Sequence, residues 1–207
     1  MPKISLSTSR TLLSGLTAFA LLGTVALAQQ APTVRIRGTI EVVDGPTLTV
    51  KTREGSDVKA TLKEKATIAA VVKASYADIK QGAFIGVTGM PQPDGSQSCR
   101  EIHIFPEAMR GAGEGHRPWD LEPKSTMTNA TVEQVTSVGA HEITLKYKDG
   151  EKKIAVGPEC PIVAYAPGDK ADLKPGAKVF IGAATKEADG TLSAARINVG
   201  RDAPPPM

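Results

Sequence analysis

The chain has 207 residues, with 25 Lys and Arg against 22 Asp and Glu, for a formal net charge of +3. Aromatic residues are scarce: four Phe, three Tyr and one Trp. That balance excludes a strongly basic face of the kind that selects nucleic acid or anionic lipid, and it leaves Val, Ile, Leu and Ala to build the core.

Residues 1–28 read as a secretory signal. Lys3 and Arg10 are cationic, Thr11 to Leu27 is uncharged and apolar, and Ala26-Leu27-Ala28 fits a small-residue cleavage site before Gln29. The apolar run falls short of the roughly 20 residues that a spanning helix requires. The expected product is an exported periplasmic or secreted chain with no membrane span after cleavage. Lys3 and Arg10 are the only charges in residues 1–28, so the remainder carries +1.

The remainder repeats itself. Ala77-Asp78-Ile79-Lys80-Gln81-Gly82-Ala83 returns as Ala171-Asp172-Leu173-Lys174-Pro175-Gly176-Ala177, at an offset of 94. Asp94-Gly95 and Ile102 return as Asp189-Gly190 and Ile197, at 95, and Thr39-Ile40-Glu41 returns as Thr131-Val132-Glu133, at 92. Matched blocks in one order with a small drift predict a duplicated domain, with repeat 1 over 33–105, an interdomain segment over 106–129, repeat 2 over 130–200 and a flexible tail over 201–207.

In repeat 1, β-branched alternation predicts strands at Val34–Val43, Thr47–Thr52 and Asp57–Leu62, with Asp44-Gly45-Pro46 as a turn. Ser75–Lys80 predicts one helical turn, capped by Ser75, stopped by Gly82 and pointing Ile79 inward. Strands at Phe84–Gly89 and Arg100–Phe105 follow. Repeat 2 predicts the same order: Ala130–Val138, Glu142–Tyr147, Lys152–Val156, a turn over Ala171–Lys174, then Ala177–Ala183 and Ser193–Val199. In both repeats the expected fold is a small all-β, OB-like barrel with one short helical turn, two in tandem. Ile79 and Leu173 should plug equivalent ends, and Ile102 and Ile197 should face equivalent cores.

Ala171-Asp172-Leu173-Lys174-Pro175-Gly176-Ala177-Lys178-Val179, followed by Asp189-Gly190-Thr191-Leu192-Ser193-Ala194-Ala195-Arg196-Ile197, resembles a family of secreted bacterial β-barrel domains of unknown function. The family's opening Gly-x-Ile/Val…Asp-Gly-x-x-Leu/Ile-x-Val matches Gly38 to Val50. The resemblance covers roughly 34–105 and 130–199. It implies an OB-like barrel, export and tandem copies, and carries no catalytic residues.

Cys99 and Cys160 lie one in each repeat. Strict alternation places Cys99 and His103 on the face opposite Ile102 and Ile104. Two inert or partly exposed thiols are therefore expected, with a disulfide joining the halves as the alternative.

The segment 106–129 holds the sole Trp and interleaves charges with Trp119 and Leu121, which predicts an ordered strap rather than a bland linker. Its ligand-binding candidates are Arg110, His116, Arg117, Trp119 and Asp120. As a strap, Trp119 would be its apolar anchor and Arg117–Asp120 a local salt bridge. Its metal candidates are Met109, His116 and Met127, soft donors suited to an exported metal-handling accessory. No phosphate loop, nucleophile elbow or Cys-x-x-Cys occurs, and His141 reads as a solvated turn residue. The sequence therefore predicts a non-enzymatic binding or interaction module. It needs no cofactor and does not bind nucleic acid. Its partner is an envelope protein or small ligand of unknown identity.

Overall fold

The computed structural model of the protein describes residues 32–136 and 141–205. The expected signal at 1–28, the end of the Ala130–Val138 strand and residues 206–207 lie outside the described residues. The described fold is all-β. Its strands are β1 (Thr33–Asp44), β2 (Thr47–Thr52), β3 (Asp57–Lys73), β4 (Phe84–Pro91), β5 (Gln97–Ile104), β6 (Gly115–Pro118), β7 (Thr126–Thr136), β8 (Glu142–Tyr147), β9 (Gly150–Ala155), β10 (Ile162–Pro167), β11 (Lys178–Lys186) and β12 (Leu192–Gly200). Short 3-10 turns cover Tyr76–Asp78, Glu107–Met109 and Lys170–Asp172.

β1, β2 and β3 form an antiparallel meander, as their alternation requires. β11 pairs with β1, β12 pairs with β11, and β12 closes on β3 in parallel. The result is a closed five-stranded barrel. Its interior is aliphatic, with Ile36, Ile40, Leu48, Val50, Ile181 and Ile197 among the buried side chains. The same order of pairings runs through β5, β4, β7, β8 and β9. This second ring closes through only two residue pairs, Gln97↔Ile154 and Ser98↔Ala155. Ile85, Val87, Ile102, Ile143, Leu145 and Ile154 fill it. β10 ties the rings together, pairing antiparallel with the end of β3 and parallel with β5.

Self-contained repeats were the expectation, and the pairing corrects it. The first barrel takes β1–β3 from the first half and β11–β12 from the second, while the second ring takes the complement. The cause lies in β3. It runs for 17 residues, roughly 55 Å at about 3.3 Å per residue, and so leaves its own ring. The turn and two strands that follow it are delivered to the other one.

The 3-10 turns behave as their sequences imply. The Ser75 backbone N–H donates to the Asp78 carboxylate at 2.8 Å, and Asp169 donates likewise to Asp172 at 2.8 Å. Gly82 and Gly176 end the turns at φ of +82° and +86°, where a Cβ would be strained. Ile79 is buried in the second ring and Leu173 in the first, with Ile102 and Ile197 in the matching cores.

Three further expectations are corrected. Cys99 and Cys160 form a disulfide, with their Cα atoms 5.8 Å apart. A bulge at Arg100, where the β4 register jumps from Glu101 to Cys99, inverts the alternation and turns Cys99 toward the core that Ile102 occupies. His103 is not on an open face but only 3% exposed, because β10 and its Tyr165 cover it. The tail is held as far as Pro205: Arg201 and Asp202 donate their backbone N–H groups to the Val71 carbonyl, and Ala203 is buried.

Candidate functional site

β1 carries Arg35 and Arg37 at alternate positions, so both side chains leave the face opposite the buried Ile36. β11 places Phe180 directly across from Arg37. The central segment lies over this face. β6 pairs with β7 and so holds His116, Arg117 and Pro118 in register with Thr128, Met127 and Thr126. The next residue, Trp119, donates its backbone N–H to the Ser125 carbonyl at 2.8 Å, and the Ser125 hydroxyl donates to the Trp119 carbonyl at 3.2 Å.

These two elements build one cluster. The Arg35 guanidinium lies 4.2 Å from the centre of the Trp119 ring, Arg37 5.5 Å and Arg117 5.6 Å. Arg37 also lies 4.8 Å from the centre of the Phe180 ring. Cation–π contact of this kind strengthens where water is excluded, and Arg37 is only 7% exposed. Arg37 donates through both Nη atoms to Asp120 at 2.8 and 3.2 Å, and Arg35 adds a third bond at 3.0 Å. Two buried donors in the cluster, Arg37 Nε and Trp119 Nε1, have no hydrogen-bond partner.

The electrostatics follow from this crowding. Burial pushes the Asp120 carboxyl up, but the hydrogen bonds and charges of Arg37 and Arg35 outweigh it and hold the group below the usual carboxylate range. Burial, and then the charge of Arg35, pulls Arg117 down. Burial also pulls His116 down, assisted by the charges of Lys152 and Arg117. Beside the cluster is a recess of about 550 Å³ lined by Arg35, Arg37, Arg53, Glu54 and Asp120, with Thr33 at its edge.

Of the sequence candidates, Arg117, Trp119 and Asp120 meet here. The proposed Arg117–Asp120 salt bridge does not form: Asp120 goes to Arg35 and Arg37, and Arg117 donates to the Gly113 carbonyl at 2.7 Å. Arg110 is elsewhere, bound to Glu107 at 2.6 Å and to the Gly82 carbonyl at 2.9 Å. His116 Nδ1 bonds the Thr128 hydroxyl at 2.8 Å, and its ring stacks toward Tyr147.

The three metal candidates do not converge. His116 and Thr128 share one side of the β6–β7 pair while Arg117 and Met127 share the other, so His116 and Met127 point apart. Met109 Sδ faces the Arg196 guanidinium, a cation where a metal would need room. Among the described residues no group of three or more His, Cys, Asp or Glu is placed to hold a metal ion.

Arg35, Arg37, Arg53 and Phe180 escaped the sequence reading. The signal was present: Arg35-x-Arg37 on an amphipathic strand puts two cations side by side on one face, an arrangement that favours a counter-charge from another element. Also missed was the buried pair of Glu101 and His103, with Oε2 and Nε2 3.4 Å apart. Tyr165 packs beside them, its hydroxyl pushed up by burial and by the charge of Glu101.

Comparisons with protein-family models, curated proteins and solved structures found no match. The family resemblance rests on the turn and core residues alone.

Proposed function

We propose that the protein is an exported, non-enzymatic binding module, and that the Trp119 arginine cluster is its binding surface. The observation that carries the reading is the convergence of Arg35, Arg37 and Arg117 on Trp119, against one carboxylate, beside an open recess. The cluster lies outside the barrel core, which is aliphatic. Loops set on rigid strands are where recognition usually resides.

Export is supported by the signal-like residues 1–28 and by the Cys99–Cys160 disulfide, a bond that persists in oxidising compartments. The repeated strand order supports descent from a duplicated OB-like unit. The metal-handling alternative draws no support from the placement of Met109, His116 and Met127.

A ligand screen by thermal shift tests the reading. The expected result is a compound or partner that stabilises the wild type and loses its effect in Arg35→Ala and Trp119→Phe. Hits indifferent to both changes would place the binding surface elsewhere. N-terminal sequencing of the exported protein should begin at Gln29.

A further inference from the structure

We propose that the recess beside Trp119 receives an oxyanion group (carboxylate, phosphate or sulfate) of the ligand. The inference rests on the binding reading above and adds the ligand's chemical class. Three arginines, Arg35, Arg37 and Arg53, line the recess against Glu54 and Asp120, and Arg117 stands behind them against Trp119. Cations exceed anions in a protein whose overall charge is close to balanced.

The cluster already displays how it holds such a group. Asp120 is gripped by both Nη atoms of Arg37 and by Arg35, the fork geometry that suits planar or tetrahedral oxyanions. Asp120 thus acts as the internal occupant of part of the site. Arg37 is a buried charge whose paired Nη atoms answer to a single, partly exposed carboxylate.

The rings argue against a neutral stacked ligand. Arg35 covers a face of Trp119 at 4.2 Å, and Arg37 and Arg117 crowd the ring at 5.5 and 5.6 Å. The indole therefore serves as a plate for the Arg35 guanidinium, which also lines the recess. Arg53 is exposed at the mouth, free to reach an incoming group.

The test uses Trp119 emission, since it is the sole Trp. The protein is titrated at constant ionic strength with acetate, inorganic phosphate, inorganic sulfate and polyphosphate. A saturable shift with at least one of them is expected. Arg53→Ala and Arg35→Ala should each weaken it about tenfold, the scale of one charge-assisted hydrogen bond. Asp120→Asn should tighten it by removing the internal competitor. Saturation by the simple ions identifies a free-anion site, and saturation by polyphosphate alone identifies a charged group on a larger molecule.

No shift with any probe, a shift equal in wild type and Arg53→Ala, or weaker binding in Asp120→Asn would each overturn the proposal. If a neutral compound from the screen needs Arg35 while no anion binds, the oxyanion claim fails and the binding surface stands. If neither binds, both fail.

Discussion

Arg37 occupies a position where the barrel's outer face would ordinarily be solvated, yet Trp119 and Phe180 enclose it and Asp120 is its counter-ion. Removing the counter-ion should therefore cost more than removing the outer partner. Asp120→Ala should lower stability by about 1–3 kcal/mol, with the lower end favoured because Asp120 is partly exposed. Arg35→Ala should cost under about 1 kcal/mol, as exposed pairs do. Urea denaturation of both variants gives the comparison. His116 carries a pH signature. Its folded-state pKa is depressed below 6.5, first by burial and then by Lys152 and Arg117, so the unfolded chain binds the proton more readily. Stability should hold above pH 6.5 and fall as the pH drops from 6.5 toward the folded value. His116→Gln should flatten that part of the profile, read from denaturation midpoints across the range. Ile79 and Leu173 offer a third check. Each is buried in the ring whose three-strand meander comes from the other half, and Ile79→Ala or Leu173→Ala should cost roughly 2–5 kcal/mol.

At the scale of elements, the two rings differ where β3 and the β9–β10 pair differ. β3 passes unbroken through Lys63–Ala66, whereas Pro158 and Pro161 stop the corresponding stretch, since proline donates no ladder bond. The disulfide stands at this break. Cys160 corresponds to Ala66 and Cys99 to Ala194, so the covalent bond stands where the first barrel shifts register, between Ala194↔Leu62 and Arg196↔Thr67. Cys99→Ala with Cys160→Ala should cost about 2–5 kcal/mol, with amide exchange rising most over 156–162. An equivalent cleft opens beside each stretch. One, of about 580 Å³, is lined by Tyr76, Val156, Pro158, Cys160 and Ile162. The other, of about 570 Å³, is lined by Lys170, Leu62, Glu64, Ala66 and Ile68 at an offset of 94. Most strands were legible because alternating β-branched residues report one buried face. β10 and the second half of β3 were not. Ala69, Ala70 and Val71 are buried at the seam between rings, where both faces are covered and alternation vanishes. The Arg100 bulge was invisible for a related reason: one extra residue inverts a face without altering composition. In the site, Trp119 and Asp120 were legible as a polar strap with an anchor. Their partners were not, because Arg35 and Arg37 lie more than 80 residues away.

At the scale of the whole molecule, repetition in the sequence is also repetition in the pairing, but with the strands exchanged. β1–β11 matches β7–β4, and β3–β12 matches the pairing of β5 with β9 and β10. Sequence similarity alone cannot distinguish exchanged from unexchanged halves, since the local residues are satisfied either way. The exchange makes each half incomplete. A fragment covering 32–110 and one covering 111–205 should each remain unfolded alone and should recover native circular dichroism when mixed. A fragment folded by itself would contradict the exchanged pairing. Exchange also fixes an order of events when the chain is made. Between the end of β3 at Lys73 and the start of β11 at Lys178 lie roughly a hundred residues, or roughly 5–20 s of synthesis. Through that interval the β1–β2–β3 meander waits with the edges of β1 and β3 uncovered, and uncovered edges invite pairing with other chains. Nascent chains arrested after Asn129 should accordingly be more prone to proteolysis and aggregation than full-length ones. The yield of native protein should then depend on how long two bare strand edges are left waiting and on what covers them meanwhile, as well as on the stability of the finished barrel.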